Sequence, residues 1–174
     1  MTSKKFWRRL AKGETDAVQI LLSLLKEIGS EYCVIGGLAV NAYADPVVSL
    51  DLDLVVISGR LADLRAAAEE KGIRAQEFEP SVNLFIPGSD LRIQVQTDPR
   101  YQSFISRSQR RVVLGYEMFV ANLEDVLCGK LWAYSDETRR KSKRQKDLSD
   151  IMRLVETHPE LKGRLPREIA AEMD

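Results

Sequence analysis

Apolar side chains recur at helical spacing between residues 14 and 28, at Ala17, Val18, Leu21, Leu22, Leu24, Leu25 and Ile28, which predicts an amphipathic helix. Thr15 or Asp16 can cap its start, and Gly29 ends it. Tyr32 to Ile35 is a short apolar run that reads as a buried strand and stops at Gly36-Gly37. Residues 38 to 44 suit a short helix entered straight from the glycines and broken by Asp45-Pro46. Residues 48 to 57 read as a second strand. Leu50, Leu52 and Leu54 alternate there with Asp51 and Asp53, so one face is apolar and the other carries two carboxylates. Residues 61 to 71 form a helix with Leu61, Leu64, Ala67 and Ala68 inward and Gly72 at its C-terminal cap. Strands follow at residues 82 to 86 and 91 to 97, joined by Pro87-Gly88-Ser89-Asp90, and a hairpin at residues 111 to 120 turns near Gly115.

Beyond residue 122 the pattern contains no strand. Leu123, Val126, Leu127, Leu131 and Trp132 mark one helix, and Leu148, Ile151, Met152 and Val155 mark another. Pro159 and Pro166 bound short final helices. The expected plan is an α/β domain over residues 1–122, with a mixed sheet and flanking helices, and a helical segment over residues 123–174 packed on it. Trp132 and Tyr134 are expected to pack against the sheet domain, and His158, just before Pro159, to serve as a helix-end or surface residue.

Charge narrows the partners. The 174 residues carry 26 Lys+Arg against 26 Asp+Glu, so no global field recruits nucleic acid or an anionic membrane. Any such contact must come from a local patch, and two exist. One is Arg139, Arg140, Lys141, Lys143, Arg144 and Lys146, which reads either as a solvated loop between helices or as an anion surface for triphosphate or RNA. The other is Lys4, Lys5, Arg8 and Arg9 around Phe6 and Trp7, whose rings either cap the core or stack on a base. Cys33 and Cys128 are too few for a disulfide framework and, with the single His158, too few for a zinc site. They are expected to be buried, reduced thiols. No signal-peptide pattern opens the chain, and its apolar stretches fall short of the roughly 20 residues that span a bilayer, so a cytoplasmic protein is expected.

The candidate chemistry lies in two consecutive segments, Val34-Ile35-Gly36-Gly37-Leu38-Ala39-Val40 and Leu50-Asp51-Leu52-Asp53-Leu54-Val55-Val56. Glycines between a strand and a helix permit unusual backbone dihedrals and close approach of a ligand, and a helix start favours phosphate. Aspartates at i and i+2 of a strand project from one face, where Mg²⁺ can bridge them while holding substrate phosphates. Together they place a phosphate cradle and a carboxylate pair on neighbouring strands.

These segments, with Val47-Val48-Ser49 ahead of Leu50, Lys130 in the run from Leu123, and Lys146-Asp147-Leu148-Ser149-Asp150-Ile151, resemble the nucleotidyltransferase superfamily that includes DNA polymerase beta. More narrowly, the chain is similar to compact bacterial nucleotidyltransferases related to AbiEii-type toxins, over residues 32 to 154. The resemblance implies a minimal nucleotidyltransferase fold. It also implies Mg²⁺-dependent transfer of a nucleoside monophosphate from a nucleoside triphosphate to a hydroxyl on RNA, protein or a small molecule. It assigns Gly36, Gly37, Ser49 and Lys130 to the nucleotide, Asp51 and Asp53 to the metal and catalysis, and Asp147 and Asp150 to a C-terminal acidic motif.

The chain departs from that family pattern at named positions. Val47 stands where the strand motif has Arg, and Ser49 where it has Thr, which keeps the hydroxyl. The third carboxylate common in such enzymes falls on Gln94, in the strand Leu91-Arg92-Ile93-Gln94-Val95-Gln96. An amide can ligate Mg²⁺ but is no base at neutral pH. Asp98 shares the strand parity and could substitute from about 6–7 Å further along. The alternative implied is a catalytically weakened relative that keeps the fold as a nucleotide- or RNA-binding or protein-interaction module.

Overall fold

The computed structural model describes Lys5 and residues 15–173. Its strands are β1 (Tyr32–Ile35), β2 (Asp51–Val56), β3 (Arg74–Phe78), β4 (Ser81–Phe85), β5 (Arg92–Gln96), β6 (Gln109–Val113) and β7 (Tyr116–Val120). They form one seven-stranded sheet in the order β3-β4-β5-β2-β1-β7-β6. β2 pairs parallel with β5, and β1 pairs parallel with β7. The remaining neighbours run antiparallel, so the sheet is mixed. The helices are α1 (Ala17–Glu27), α2 (Gly36–Val40), α3 (Leu61–Glu70), α4 (Gln102–Ile105), α5 (Leu123–Ser135), α6 (Lys141–Thr157) and α7 (Arg167–Ala171). The architecture is the α/β plan that the alternation of strand and helix patterns predicts.

Local chemistry sets these elements. The Asp16 carboxylate caps α1 by accepting from the Gln19 N–H at 3.1 Å, and Leu21, Leu24 and Leu25 bury its inner face. In β2 the two-residue period buries Leu52 and Leu54 and turns Asp51 and Asp53 to the opposite side. β6 and β7 are joined through Leu114 and Gly115, both at positive φ (57° and 82°), which is the geometry a two-residue hairpin turn requires. Asn122 caps α5 by accepting from the Asp125 N–H at 2.8 Å.

Several sequence expectations shift. The helix expected at residues 38 to 44 starts on the glycines themselves, at Gly36. The strand expected from residue 48 starts at Asp51. Val47 and Val48 lie before it in an exposed loop, where Asn41 donates to the Val47 carbonyl at 2.7 Å and accepts from its N–H at 3.0 Å. The basic stretch expected to link two helices is instead largely helical, since α6 begins at Lys141. β3 and α4 carry no apolar pattern that marks them in advance.

Trp132 packs on Tyr101 edge to face and on Phe104 face to face. His158 ends α6, with its Nε2 2.8 Å from the Tyr43 carbonyl oxygen. Cys33 is fully buried and Cys128 half-buried, and both are unpaired. Among the described residues no helix is long and apolar enough to cross a membrane. Lys4, Phe6, Trp7, Arg8 and Arg9 lie outside the described residues.

Candidate active site

β1 runs into the Gly36-Gly37 turn beside the start of β2, because Ile35 is in register with Asp53. Gly36 takes φ +69°, and a Cβ placed on it would lie 2.4 Å from Asp53 Oδ2. Gly37 has only ordinary clearance, with Ser49 Oγ and Asp150 Oδ2 each 3.9 Å from where a Cβ would be. The buried Ser49 hydroxyl accepts from the Asp51 N–H at 3.2 Å, which fixes the entry to β2. Gly36, Gly37, Ser49, Asp51, Asp53 and Lys130 all line one cavity of about 290 Å³.

The aspartates differ in environment. Burial pushes the Asp53 carboxyl up to about 6. The Asp51 charge adds to that rise, while Lys130, Arg139 and Lys146 oppose it. Asp51 has cations at both oxygens, with Arg92 Nε 2.6 Å from Oδ1 and Lys143 Nζ 3.9 Å from Oδ2. The Arg92 contact lacks hydrogen-bond alignment, so the buried Oδ1 has no hydrogen-bond partner. A carboxylate oxygen without a hydrogen bond, beside a second carboxylate that is costly to ionise, is a donor set that suits a hard divalent cation. Among the described residues, no group of three His, Cys, Asp or Glu is arranged to hold a metal ion. Further oxygens would therefore have to come from Gln94, substrate phosphates or water.

Gln94 stands in register with Asp53 on β2 and with Asn83 on β4, so an amide occupies the position flanking the second aspartate. Asp98 does not replace it. Its carboxylate accepts from the Arg100 N–H at 2.9 Å and from the Arg100 guanidinium at 2.7 Å, an arrangement that lowers its pKa, and it does not line the cavity.

Lys130 is neither a solvent-facing helix residue nor a side chain extended toward open space. Its ammonium is buried between two carboxylates of α6, 3.0 Å from Asp147 Oδ1 and 2.7 Å from Asp150 Oδ2. Burial works against that charge, yet Asp150 and Asp147 more than offset it and hold the lysine above its ordinary pKa. The outer oxygens are taken by guanidiniums. Arg139 Nε donates to Asp147 Oδ2 at 2.8 Å, and Arg153 donates to Asp150 Oδ1 at 2.8 Å. Arg153 also bonds Asn41 Oδ1 at 2.9 Å and the Asp45 carbonyl, which ties α6 to the loop ahead of β2. Asp147 and Asp150 are thus buried partners of Lys130, and only Asp147 lines the cavity.

Arg139, Lys143 and Lys146 line the same cavity as the aspartates. Sequence reasoning missed Arg153 and Asn41, which no local pattern connects. It also missed Asp125, a cavity residue gripped by Arg107 at 2.8 and 2.9 Å. Strand parity puts Arg92 on the face of Gln94 in the sequence already, and the structure adds its contact with Asp51.

A mixed sheet with a glycine turn beside an aspartate pair is the arrangement that the resemblance to nucleotidyltransferases implies. Residues 24–173 match the family described as nucleotidyl transferase AbiEii toxin, type IV toxin–antitoxin system, and the chain belongs to that family. Solved structures share the fold at low identity. ANT(2")-Ia in complex with adenylyl-2"-tobramycin has a TM-score of 0.59 at 17% identity, covering 90% of this chain and 94% of its own. The lincosamide antibiotic adenylyltransferase LnuA, lincomycin-bound, has 0.52 at 12%, covering 82% and 99%. An antigenic nucleotidyltransferase-like protein from Paracoccidioides brasiliensis has 0.53 at 20%, covering 88% and 82%. No curated protein sequence matches the chain.

Proposed function

We propose that this nucleotidyltransferase-family chain is a cytoplasmic, Mg²⁺-dependent enzyme that moves a nucleoside monophosphate from a nucleoside triphosphate to a hydroxyl acceptor. The observation that carries this reading is the placement of Asp51 and Asp53 in one cavity with the Gly36-Gly37 backbone. Asp51 and Asp53 would hold Mg²⁺, which when bound supplies charge neutralisation at the phosphates and a Lewis acid for displacement. Gly36 and Gly37 leave the backbone bare where the nucleotide approaches. Ser49 holds the entry to β2, so that Asp51 keeps its orientation. The basic wall of Arg139, Lys143 and Lys146 attracts the triphosphate.

In the reaction the acceptor hydroxyl gives up its proton to water, its oxygen bonds to the α-phosphorus, the bond from that phosphorus to the oxygen bridging to the β-phosphorus breaks, and pyrophosphate leaves. The acceptor hydroxyl belongs to nucleic acid, protein or a small molecule; adenylyl-2"-tobramycin in one neighbour supports small molecules as acceptors for this fold, and the family description supports a toxin role.

A second reading, a nucleotide-binding module with little transfer, is favoured by Gln94 beside Asp53. Incubation with each labelled nucleoside triphosphate, Mg²⁺, and total RNA or cell extract separates the two. Label transfer that is abolished by Asp51→Asn supports the enzyme. Mg²⁺-dependent triphosphate binding without transfer supports the module.

A further inference from the structure

We propose that the acceptor lies across the open face of β3, β4 and β5, and that it is a neutral, hydroxyl-rich glycoside of two or three rings. This rests on the nucleotidyltransferase reading and names the substrate class which that reading leaves open.

Strand register builds the face. Asp53 of β2 pairs with Gln94 of β5, Gln94 with Asn83 of β4, and Asn83 with Gln76 of β3. Three amides therefore run in a row from the second aspartate to the edge of the sheet. Neighbouring strands lie about 4.8 Å apart, so the row is about 14 Å long. The alternate residues Val82, Leu84, Ile93 and Val95 are buried on the other side. Ser81, Gln94 and Gln96 line the cavity, which thus opens onto this face beside Asp53. Gln76 and Phe78 are exposed, and Asn83 and Gln94 are half-buried.

Hydrogen-bonding capacity is left over along the row. Asn83 Oδ1 accepts from the Ser81 hydroxyl at 3.1 Å, and Gln76 Oε1 accepts from Arg74 at 3.0 Å. Among the described residues, both amide nitrogens and the whole Gln94 amide have no protein partner. Phe78, two residues along β3 from Gln76, is 45% exposed and sets an open ring at the end of the row. Amides beside an open aromatic ring match a sugar. Its hydroxyls exchange hydrogen bonds with the amides, and its C–H face packs on the electron-rich face of the ring.

Charge decides between acceptor classes. No residue that β3, β4 or β5 turns to this face is acidic, so a polycationic acceptor finds no counter-charge beyond the metal site. The two cations of the face already have partners. Arg74 bonds Gln76 and lies over the Phe85 ring at 4.1 Å, and Arg92 is 2.6 Å from Asp51. A nucleic-acid strand of the same length would set several phosphates where neither cation is free. A neutral acceptor meets neither obstacle. One sugar ring is too short for the row, and two or three span it.

The test uses the full chain and calorimetry. Maltotriose, cellotriose and triacetylchitotriose are the neutral probes, tobramycin is the polycation, and a short oligouridylate is the single-stranded RNA. At least one trisaccharide is expected to bind with a Kd of about 1 mM or tighter. Gln76→Ala, Asn83→Ala and Phe78→Ala are each expected to weaken it by about fivefold or more, and Phe119→Ala, an exposed ring on β7, by less than about twofold. Mg²⁺-dependent binding of non-hydrolysable triphosphate analogues should stay within about twofold in all four variants. No trisaccharide bound, or binding indifferent to the three substitutions, overturns the acceptor assignment and leaves the nucleotidyltransferase reading intact. Tighter binding of tobramycin or of oligouridylate, weakened by the same substitutions, gives the face to that class and overturns the proposal. Failure of the unaltered protein to bind any triphosphate analogue with Mg²⁺ overturns the nucleotidyltransferase reading, and the acceptor role with it.

Discussion

A side chain on Gly36 and the carboxylate of Asp53 would compete for the same space: a Cβ at Gly36 would lie 2.4 Å from Asp53 Oδ2. Both strands are fixed here by the pairing of Ile35 with Asp53, so neither can retreat without breaking the β1–β2 ladder. The residue is also at φ +69°, where an L side chain is strained.

Gly36→Ala is therefore expected to destabilise the fold by about 2 kcal/mol or more, through strain and contact together. Gly37→Ala meets only 3.9 Å contacts and no left-handed backbone, so its stability should match or slightly exceed that of the parent. It should nonetheless weaken nucleotide binding, because the added methyl covers backbone in the cavity. Denaturant midpoints and analogue titrations of the two variants distinguish the effects. Equal loss of stability in both would contradict the geometry.

Asp53 gives a pH prediction with a definite sign. Its folded value of about 6 lies above the ordinary 3.8, so the fold favours the protonated form. The stability this contributes is fully present below about pH 3.8 and is lost as pH rises through about 6. Without metal, Asp53→Asn should therefore stabilise the protein at pH 7.5, by about 1–3 kcal/mol, and the gain should vanish toward pH 4. Affinity for divalent cations in the parent should fall as pH drops below about 6, since protonation removes the ligand charge. Thermal denaturation across pH, with and without Mn²⁺, tests both. A variant less stable than the parent at pH 7.5 without metal would refute the burial argument.

Lys130→Ala removes the cation between Asp147 and Asp150 and leaves both carboxylates in the interior. Breaking a buried pair in this way typically costs about 3–5 kcal/mol, and a loss of that size is expected in urea denaturation. A loss below about 1 kcal/mol would mean that the two guanidiniums alone suffice.

Gln94→Asp supplies an anion in register with Asp53. It should raise the rate of label transfer with Mg²⁺ by about tenfold or more, since a positioned base typically contributes about 10²–10⁴. Without metal the same variant should lose stability at neutral pH, because a further charge opposes ionisation of Asp53. An unchanged transfer rate would indicate that the missing carboxylate does not limit the chemistry.

The parts of the site that could be read in the sequence were those encoded locally. Gly36-Gly37 follows four residues of strand, and the alternation of Asp51 and Asp53 with leucines carries its own facing rule, so a shared cavity could be anticipated. β3 could not be anticipated because its residues are largely exposed, which erases the apolar alternation. The start of α6 was hidden for a related reason. Lys141 to Lys146 has no apolar member, and the first buried positions of that helix are Asp147 and Leu148, one of them charged. Lys130 illustrates the limit most plainly. Its partners lie 17 and 20 residues further along the chain, and only the packing of α5 on α6 shows that its ammonium is spent on them.

The lysine, the two carboxylates and the two guanidiniums come from α5, from the turn before α6 and from α6 itself, and they reach the end of α2 through Asn41. None of these charges can be shut away from water before the others arrive without standing bare in an apolar interior. The C-terminal helices are therefore expected to dock as a unit or not at all, and partial detachment is discouraged by electrostatics more than by lost apolar contact. The basic wall of the cavity thus forms in a single cooperative event, so a molecule with a half-built nucleotide cleft should be too short-lived to bind its substrate wrongly.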